Sequence, residues 1–449
     1  MNRKILTKRV PDNQYARTFG IGKLAVRVGT KMAKDAILEL ARGKRPDASS
    51  LFLSKGNFEE ITSTLATMRG AAMKLGQIAS MDSGDLLPSD LSHVLSRLRA
   101  QGHAMPPQQL RRILNQNWGY GWLNKFRQFD VRPFAAASIG QVHKAVSKEG
   151  QNLAIKVQFP NIKQSIHSDL RNIQIIAKSS GLLPETLDID HYLEICKAQL
   201  LLETDYVREA DFLRRFHALA SSTNGIQTPV CFAKFSTKSV LAMSLEEGVD
   251  LDCLDQFSKD DKNRIALLMV DWAIREVFEF KLVQTDPNFA NYRYDVKSAS
   301  IKLLDFGACI EPSPNVIRIY SELAASFLAN DIASLIDTLA KYNLMPTEMP
   351  ITAHNLVEKV LNVALREFHA SDTFSFSDSK VFDYINAENV GEISTIIPTD
   401  LIPADLLFMQ RKFLGLMFLL RRLGASLPLK SMLQKQINLT SLKPRFYTK

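Results

Sequence analysis

A chain of 449 residues exceeds what one ordinary core fills, so two or three compact units, or a two-lobed enzyme with an extension, are expected. With 46% hydrophobic and 23% charged residues the composition excludes wholesale disorder. Twelve Lys or Arg against four acids place +8 of the +9 net charge in the first 50 residues, so the basicity belongs to the N-terminal segment. That segment lacks interleaved aromatics for base stacking, and no nucleic-acid partner is expected. Cys196, Cys231, Cys253 and Cys309 are too widely spaced for a metal cluster or a disulfide framework, which points to a reducing compartment. Met1–Asn13 is basic with no apolar core behind it, so no secretory signal is expected. The best candidate span, Phe413–Leu420, offers eight apolar residues where about 20 are needed.

Residues 1–50 read as a basic tail followed by an amphipathic helix. Ile21, Leu24, Val28 and Met32 lie on one side of it, and Lys23, Arg27, Lys31 and Lys34 on another. Asn57 with Glu60 is a helix start. Behind it Phe58, Ile61, Leu65, Met68, Ala72, Leu75 and Ala79 recur at spacings of three and four. Residues 51–125 are therefore a helical extension. From Phe126 the pattern changes to short β-type runs: 129–134, Ile139–Val146 and Leu153–Phe159, with a Lys-Glu-Gly-Gln turn between the last two. Helices are predicted over Ile162–Ala177 and His191–Leu219, and a short strand pair within Thr228–Leu245. Beyond Lys262 the pattern is mostly helical, interrupted by a loop at Gln284–Tyr294 and a strand at Ile301–Leu304. The expected fold is α+β, protein-kinase-like and two-lobed. A small antiparallel β lobe with a helical insert covers 126–247, and a helical large lobe covers 248–449.

Four elements then fall in the order that phosphate chemistry requires. Ala135, Ala136, Ala137, Ser138, Ile139 and Gly140 form a turn between two predicted strands, where a Gly-rich loop would cover nucleotide phosphates. Lys156, in Ala-Ile-Lys on the next strand, is placed to pair with the α- and β-phosphates. Asp286 and Asn291 are five apart, so the aspartate can face an acceptor while the asparagine turns back onto a metal. Asp305, in Leu-Leu-Asp-Phe-Gly, ends an apolar strand with a carboxylate suited to Mg2+. Each piece alone has a plain reading, such as a solvated lysine or a chance Asp-Phe-Gly. Their order carries the assignment. Gln284-Thr285 stand where a protein kinase has His-Arg, and no Ala-Pro-Glu follows Asp305, so a peptide substrate is not expected.

Lys74-Leu-Gly-Gln77, Ala135–His143, Glu203-Thr-Asp205-Tyr-Val-Arg-Glu209, Gln284-Thr-Asp-Pro-Asn and Asp305-Phe-Gly307 together resemble the UbiB/AarF family of atypical kinases, over about residues 57–425. The Gln-Thr-Asp-Pro-Asn loop is similar to the mitochondrial-type coenzyme Q branch. The resemblance implies ATP or ADP with Mg2+ as cofactors, Asn291 and Asp305 as metal ligands, Asp286 in the catalytic-loop position and Glu209 as the helix partner of Lys156. It implies that the helix carrying Lys74, Gly76 and Gln77 folds over the active site near Glu203 and Asp205, with regulatory and catalytic weight on Lys74. Read alone, Lys74 is a solvent-facing charge beside the 58–79 stripe.

The function so implied is an atypical kinase or ATPase supporting ubiquinone biosynthesis at a membrane surface, cytoplasmic and peripheral on the inner membrane face. The implied partners are nucleotide, a lipid or quinone-precursor ligand, an anionic membrane surface and other quinone-biosynthesis proteins. A small-molecule phosphotransferase and a nucleotide-gated, non-catalytic scaffold remain the alternatives.

Overall fold

The run Asn152–Gln158 sets Leu153, Ile155 and Val157 on one face of its pleat and Ala154 and Lys156 on the other, and it forms an interior strand of a sheet. The computed structural model describes residues 70–75, 104–179, 189–345, 349–384 and 403–442, together with 27, 30, 31 and 34. The chain divides into two compact units, Met1–Arg214 with Pro229–Glu246, and Arg215–Thr228 with Glu247–Lys449.

In the first unit, α1 (Pro107–Trp118) leads into β1 (Phe126–Phe129), β2 (Ala135–Ala137), β3 (Gly140–Ser147) and β4 (Asn152–Gln158). With β6 (Val240–Ser244) these form an antiparallel sheet of order β1-β3-β4-β6, with β2 folded onto β3. Leu153, Ile155 and Val157 of β4 are fully buried. The β-type run expected over 129–134 is not a strand: β1 lies before it and ends at Phe129. Asp130 accepts a hydrogen bond from the Arg132 amide at 2.9 Å, turning the chain, and Pro133 has no N–H to give a ladder. Aromatic packing of Trp118, Trp122, Phe126, Phe129 and Phe235 closes this end of the sheet, and the Trp118 indole donates to the Phe235 carbonyl at 3.0 Å.

Helix α2 (Ile162–Ser179) buries Ile162, Ile166, Leu170 and Ile173, one stripe at helical spacing. The helix predicted over 191–219 is two helices, α3 (Ile189–Glu203) and α4 (Tyr206–Ser221). The break has a local cause: the Asp205 carboxylate accepts from the Arg208 amide at 3.0 Å, an N-cap that starts α4 afresh. Among residues 21–40, Arg27, Thr30, Lys31 and Lys34 are helical and exposed; Lys23 and the apolar members of that helix lie outside the described residues.

The second unit opens with β5 (Ile226–Gln227) and β7 (Val249–Asp250), then α5 (Lys259–Arg275), which starts in a capping box between Ser258 and Asp261. A π-helical turn, Glu276–Phe280, extends α5 and ends at Lys281, whose φ is +53°. Beyond it come β8 (Val283–Gln284), β9 (Tyr292–Asp295), β10 (Ser300–Leu303) and β11 (Cys309–Ile310). The segment expected to be a loop at 284–294 thus contains strand residues at both ends, because β9 pairs antiparallel with β10. The sheet order is β5-β10-β9-β7, and β8 pairs separately with β11. Among the described residues five longer helices follow: α6 (Pro314–Ala329), α7 (Ile332–Lys341), α8 (Ile351–Ala370), α9 (Ala404–Leu423) and α10 (Leu429–Leu442). No helix among the described residues is long and apolar enough to cross a membrane.

Candidate functional site

Lys156 sits in β4 opposite Val142 of β3 and Leu241 of β6, so the sheet ladder fixes its backbone on both sides. Its ammonium lies 2.7 Å from the Glu209 carboxylate of α4, with both side chains buried. The Tyr206 ring, one turn before Glu209, lies 5.3 Å from the same ammonium and adds a cation–π contact. Burial of such a pair is costly unless geometry repays it, so a buried Lys–Glu pair in this place marks a site rather than surface decoration.

The alanine run forms a hairpin, Ala135 facing Val142, Ala136 facing Gln141 and Ala137 facing Gly140, with Ser138-Ile139 as the turn. Ala136 is exposed, whereas Ile139 is 1% exposed and belongs to the core. Only glycine fits at 140. A Cβ there would meet the Val157 carbonyl oxygen at 2.5 Å and the Tyr206 hydroxyl at 2.9 Å. Below the hairpin a polar relay pins the chain. The Met105 amide donates to Gln141 at 2.7 Å, Gln141 contacts His143 Nε2 at 2.9 Å, and His143 Nδ1 lies 2.9 Å from the Asp130 carbonyl. Burial drives the His143 pKa down to about 4, so the imidazole is neutral: Nδ1–H donates to Asp130 and Nε2 accepts from Gln141.

The helical segment 70–75 is wholly buried. A Cβ on Gly70 would stand 3.2 Å from the Ser138 carbonyl oxygen and 3.3 Å from the Ile139 side chain, so this helix packs directly on the hairpin turn. Lys74 is not on a solvent face. It is 0% exposed, and its ammonium lies 2.6 Å from the Glu203 carboxylate. The three neighbouring acids therefore separate by position: Glu203 ends α3 on Lys74, Asp205 is an exposed cap, and Glu209 holds Lys156. Gly76 and Gln77 lie outside the described residues.

In the second unit Asp286, Asn291 and Asp305 are gathered by backbone and side-chain bonds. The Asn291 amide NH2 donates to the Asp286 carbonyl at 3.2 Å, and the Leu304 amide donates to the Asn291 carbonyl at 2.9 Å, seating the strand that ends in Asp305. The Gly307 amide donates to the Asp305 carboxylate at 2.9 Å and sets its orientation. Thr285 donates through both its amide and its hydroxyl to the Ala308 carbonyl. Gln284 stands in the position of the missing histidine, and its side-chain amide donates to the Asp286 carbonyl at 2.8 Å. An asparagine oxygen and a carboxylate are hard oxygen donors, the chemistry that suits Mg2+ completed by phosphate oxygens and water.

Sequence reasoning missed several residues that the structure brings to these groups. Tyr206 is one. Arg411 of α9 lies 3.6 Å from the Asp286 carboxylate, and Lys412 is buried against Glu276 and the Gln284 carbonyl. Burial raises the Glu276 carboxyl above its ordinary range, with Lys412 opposing, and raises the Tyr292 phenol strongly. The available signal was two adjacent cations, Arg411-Lys412, set between the apolar runs Leu406–Met409 and Phe413–Leu420.

Fold and site together define an atypical, protein-kinase-like protein of α+β architecture. A sequence profile of the ABC1 atypical kinase-like domain matches residues 97–339. The mitochondrial atypical kinase COQ8 of Saccharomyces cerevisiae is 34% identical over 431 residues, spanning 93% of this chain and 83% of that protein. The mitochondrial atypical kinase COQ8B of Danio rerio is 30% identical over 442 residues, 96% of this chain and 70% of that one. The chain belongs to the ABC1 atypical kinase-like family, the UbiB/AarF group to which its motifs point. Among solved structures, that of the Rv3197–erythromycin complex from Mycobacterium tuberculosis superposes with a TM-score of 0.56 at 21% identity, covering 84% of this chain and 95% of that one, a likeness of fold.

Proposed function

We propose that this protein is an atypical kinase or ATPase that binds Mg2+-nucleotide and supports ubiquinone biosynthesis at a membrane surface. The buried Lys156–Glu209 pair is the observation that carries the reading, because it presents an oriented ammonium beside the alanine hairpin. In this reading Lys156 binds the α- and β-phosphates, and Ala135–Gly140 cover them. Asn291 and Asp305 hold Mg2+, which neutralises phosphate charge when bound. Asp286 takes the acceptor's proton as the acceptor oxygen bonds to the γ-phosphorus and the β–γ bridging bond breaks, releasing ADP. Residues 51–125 act as a regulatory extension, with Lys74 on the helix packed against the hairpin. The likeness to the COQ8 kinases and the Gln-Thr-Asp-Pro-Asn loop support the quinone pathway.

The test is thermal denaturation with ADP and Mg2+. Both together stabilise the protein by about 2.7 kcal/mol at a ligand concentration 100-fold above Kd, and neither alone does so. Identical melting curves in all conditions would exclude the nucleotide assignment.

The membrane part of the reading rests on exposed Arg27, Lys31 and Lys34, which share one helix face. With Lys23, four charges at roughly 1 kcal/mol each give about 4 kcal/mol, on the order of a thousandfold in partitioning to an anionic leaflet at low salt. Full-length protein is expected to float with anionic but not neutral liposomes and to be released by salt. Equal flotation after deletion of residues 1–42 would assign that helix a packing role instead.

A further inference from the structure

The Lys412–Glu276 pair is more elaborate than a fold contact needs. Lys412 is 4% exposed and Glu276 is 0% exposed, on faces that also carry apolar side chains such as Met409, Leu416 and Ala273. Taking both charges out of water costs several kcal/mol each, and an apolar pair of the same volume would often hold the fold as well or better. The charges differ from an apolar pair in what they grip. Lys412 donates to the Gln284 carbonyl at 2.8 Å, while Glu276 accepts from the Gln284 amide at 3.2 Å. One ion pair thus clamps both backbone groups of one residue. The Gln284 side chain passes that constraint onward: it donates to the Asp286 carbonyl and accepts from the Tyr292 hydroxyl at 3.3 Å. Asn291 donates to the same Asp286 carbonyl.

We propose that Lys412 and Glu276 are positioning residues that act through Gln284 to set the spacing of Asp286 and Asn291. The inference rests on the Mg2+-nucleotide reading of that site. Both side chains grip Gln284, two residues before Asp286. A displacement of about 1 Å in a reacting group is enough for an effect on the order of a hundredfold in turnover.

The experiment replaces the clamp with an apolar pair, Lys412→Met with Glu276→Leu. A cavity of about 20 Å³ bordered by Trp272, Tyr292, Leu416 and Lys412 gives the methionine room to settle. The double variant is expected to fold but to melt several degrees below wild type, because the buried Gln284 amide and carbonyl lose their partners. Its ATPase kcat falls on the order of a hundredfold, and the Mg2+ concentration for half-maximal activity rises several-fold. A fold contact alone would leave that Mg2+ dependence unmoved. Lys412→Met with Glu276→Gln keeps both shapes and repeats the test if the first pair does not fold. A folded double variant with wild-type kcat and Mg2+ dependence overturns the proposal, and so does failure of both pairs to fold, which would make the clamp a fold determinant. Amide hydrogen exchange at Gln284 separates this from failure of the nucleotide reading. If wild type shows no ATPase, accelerated Gln284 exchange in the folded double variant still supports the clamp, and unchanged exchange sinks it.

Discussion

Asp305→Asn is expected to abolish the Mg2+-dependent part of ADP binding while leaving the protein folded. Asparagine keeps the volume and the oxygen that accepts from Gly307, so the turn after β10 is preserved. What disappears is the negative charge. A hard divalent cation prefers carboxylate oxygen, and a unit charge pair at about 4 Å near a protein surface is worth about 4 kcal/mol at an effective dielectric of 20. The expected loss in Mg2+-ADP affinity is therefore on the order of a hundredfold or more. Without ligand the variant melts within about 2 °C of wild type, since an exposed or partly exposed substitution seldom exceeds about 0.5 kcal/mol. Titration calorimetry with ADP, with and without Mg2+, makes the comparison directly. An undiminished Mg2+ effect would remove Asp305 from the metal site.

Lys74→Ala is expected to produce the largest change in stability. Its partner Glu203 is only 9% exposed at the side chain, so truncation strands a carboxylate in the interior. Breaking a buried pair in this way costs about 3–5 kcal/mol, roughly 6–20 °C in Tm for a unit of this size. Because the same helix rests on the Ser138-Ile139 turn, altered ATPase rates in this variant alone would mix folding with regulation. Lys74→Met with Glu203→Leu separates them. Recovered Tm with turnover still altered assigns the pair to regulation; recovery of both makes it packing only. A Lys74→Ala protein melting within 1 °C of wild type would contradict the burial itself.

Much of this was written in local sequence. The β-type runs at 139–146 and 153–159 and the helix at 162–177 follow from alternation and helical spacing, signals that act over a few residues. The turn at Ser138-Ile139, the strand lysine Lys156 and the loops carrying Asp286 and Asp305 were legible because each occupies a short motif in a fixed order. The clamp on Gln284 was not, since Lys412 lies 128 residues away from it and nothing local distinguishes a buried lysine from a solvated one. Lys74 shows the same limit: its periodic neighbours define an apolar stripe, yet only the position of Glu203, on a helix more than a hundred residues later, explains its burial. The break at Thr204-Asp205 was missed because one capping aspartate outweighed a continuous helical pattern.

The way the chain enters its second unit constrains how the protein comes into being on the ribosome. Strand β5 comes from the detour 215–228, and its parallel partner β10 is made only at Ser300. In between, the chain returns to complete the first sheet with β6. At about 5–20 residues per second, β5 waits roughly 4–15 s for its partner. Phe216, which packs against Trp272 and Phe306, waits with it. A fragment starting at Glu247 lacks both, and one starting at Arg215 carries β6 without the rest of its sheet, so no single cut yields the helical unit by itself.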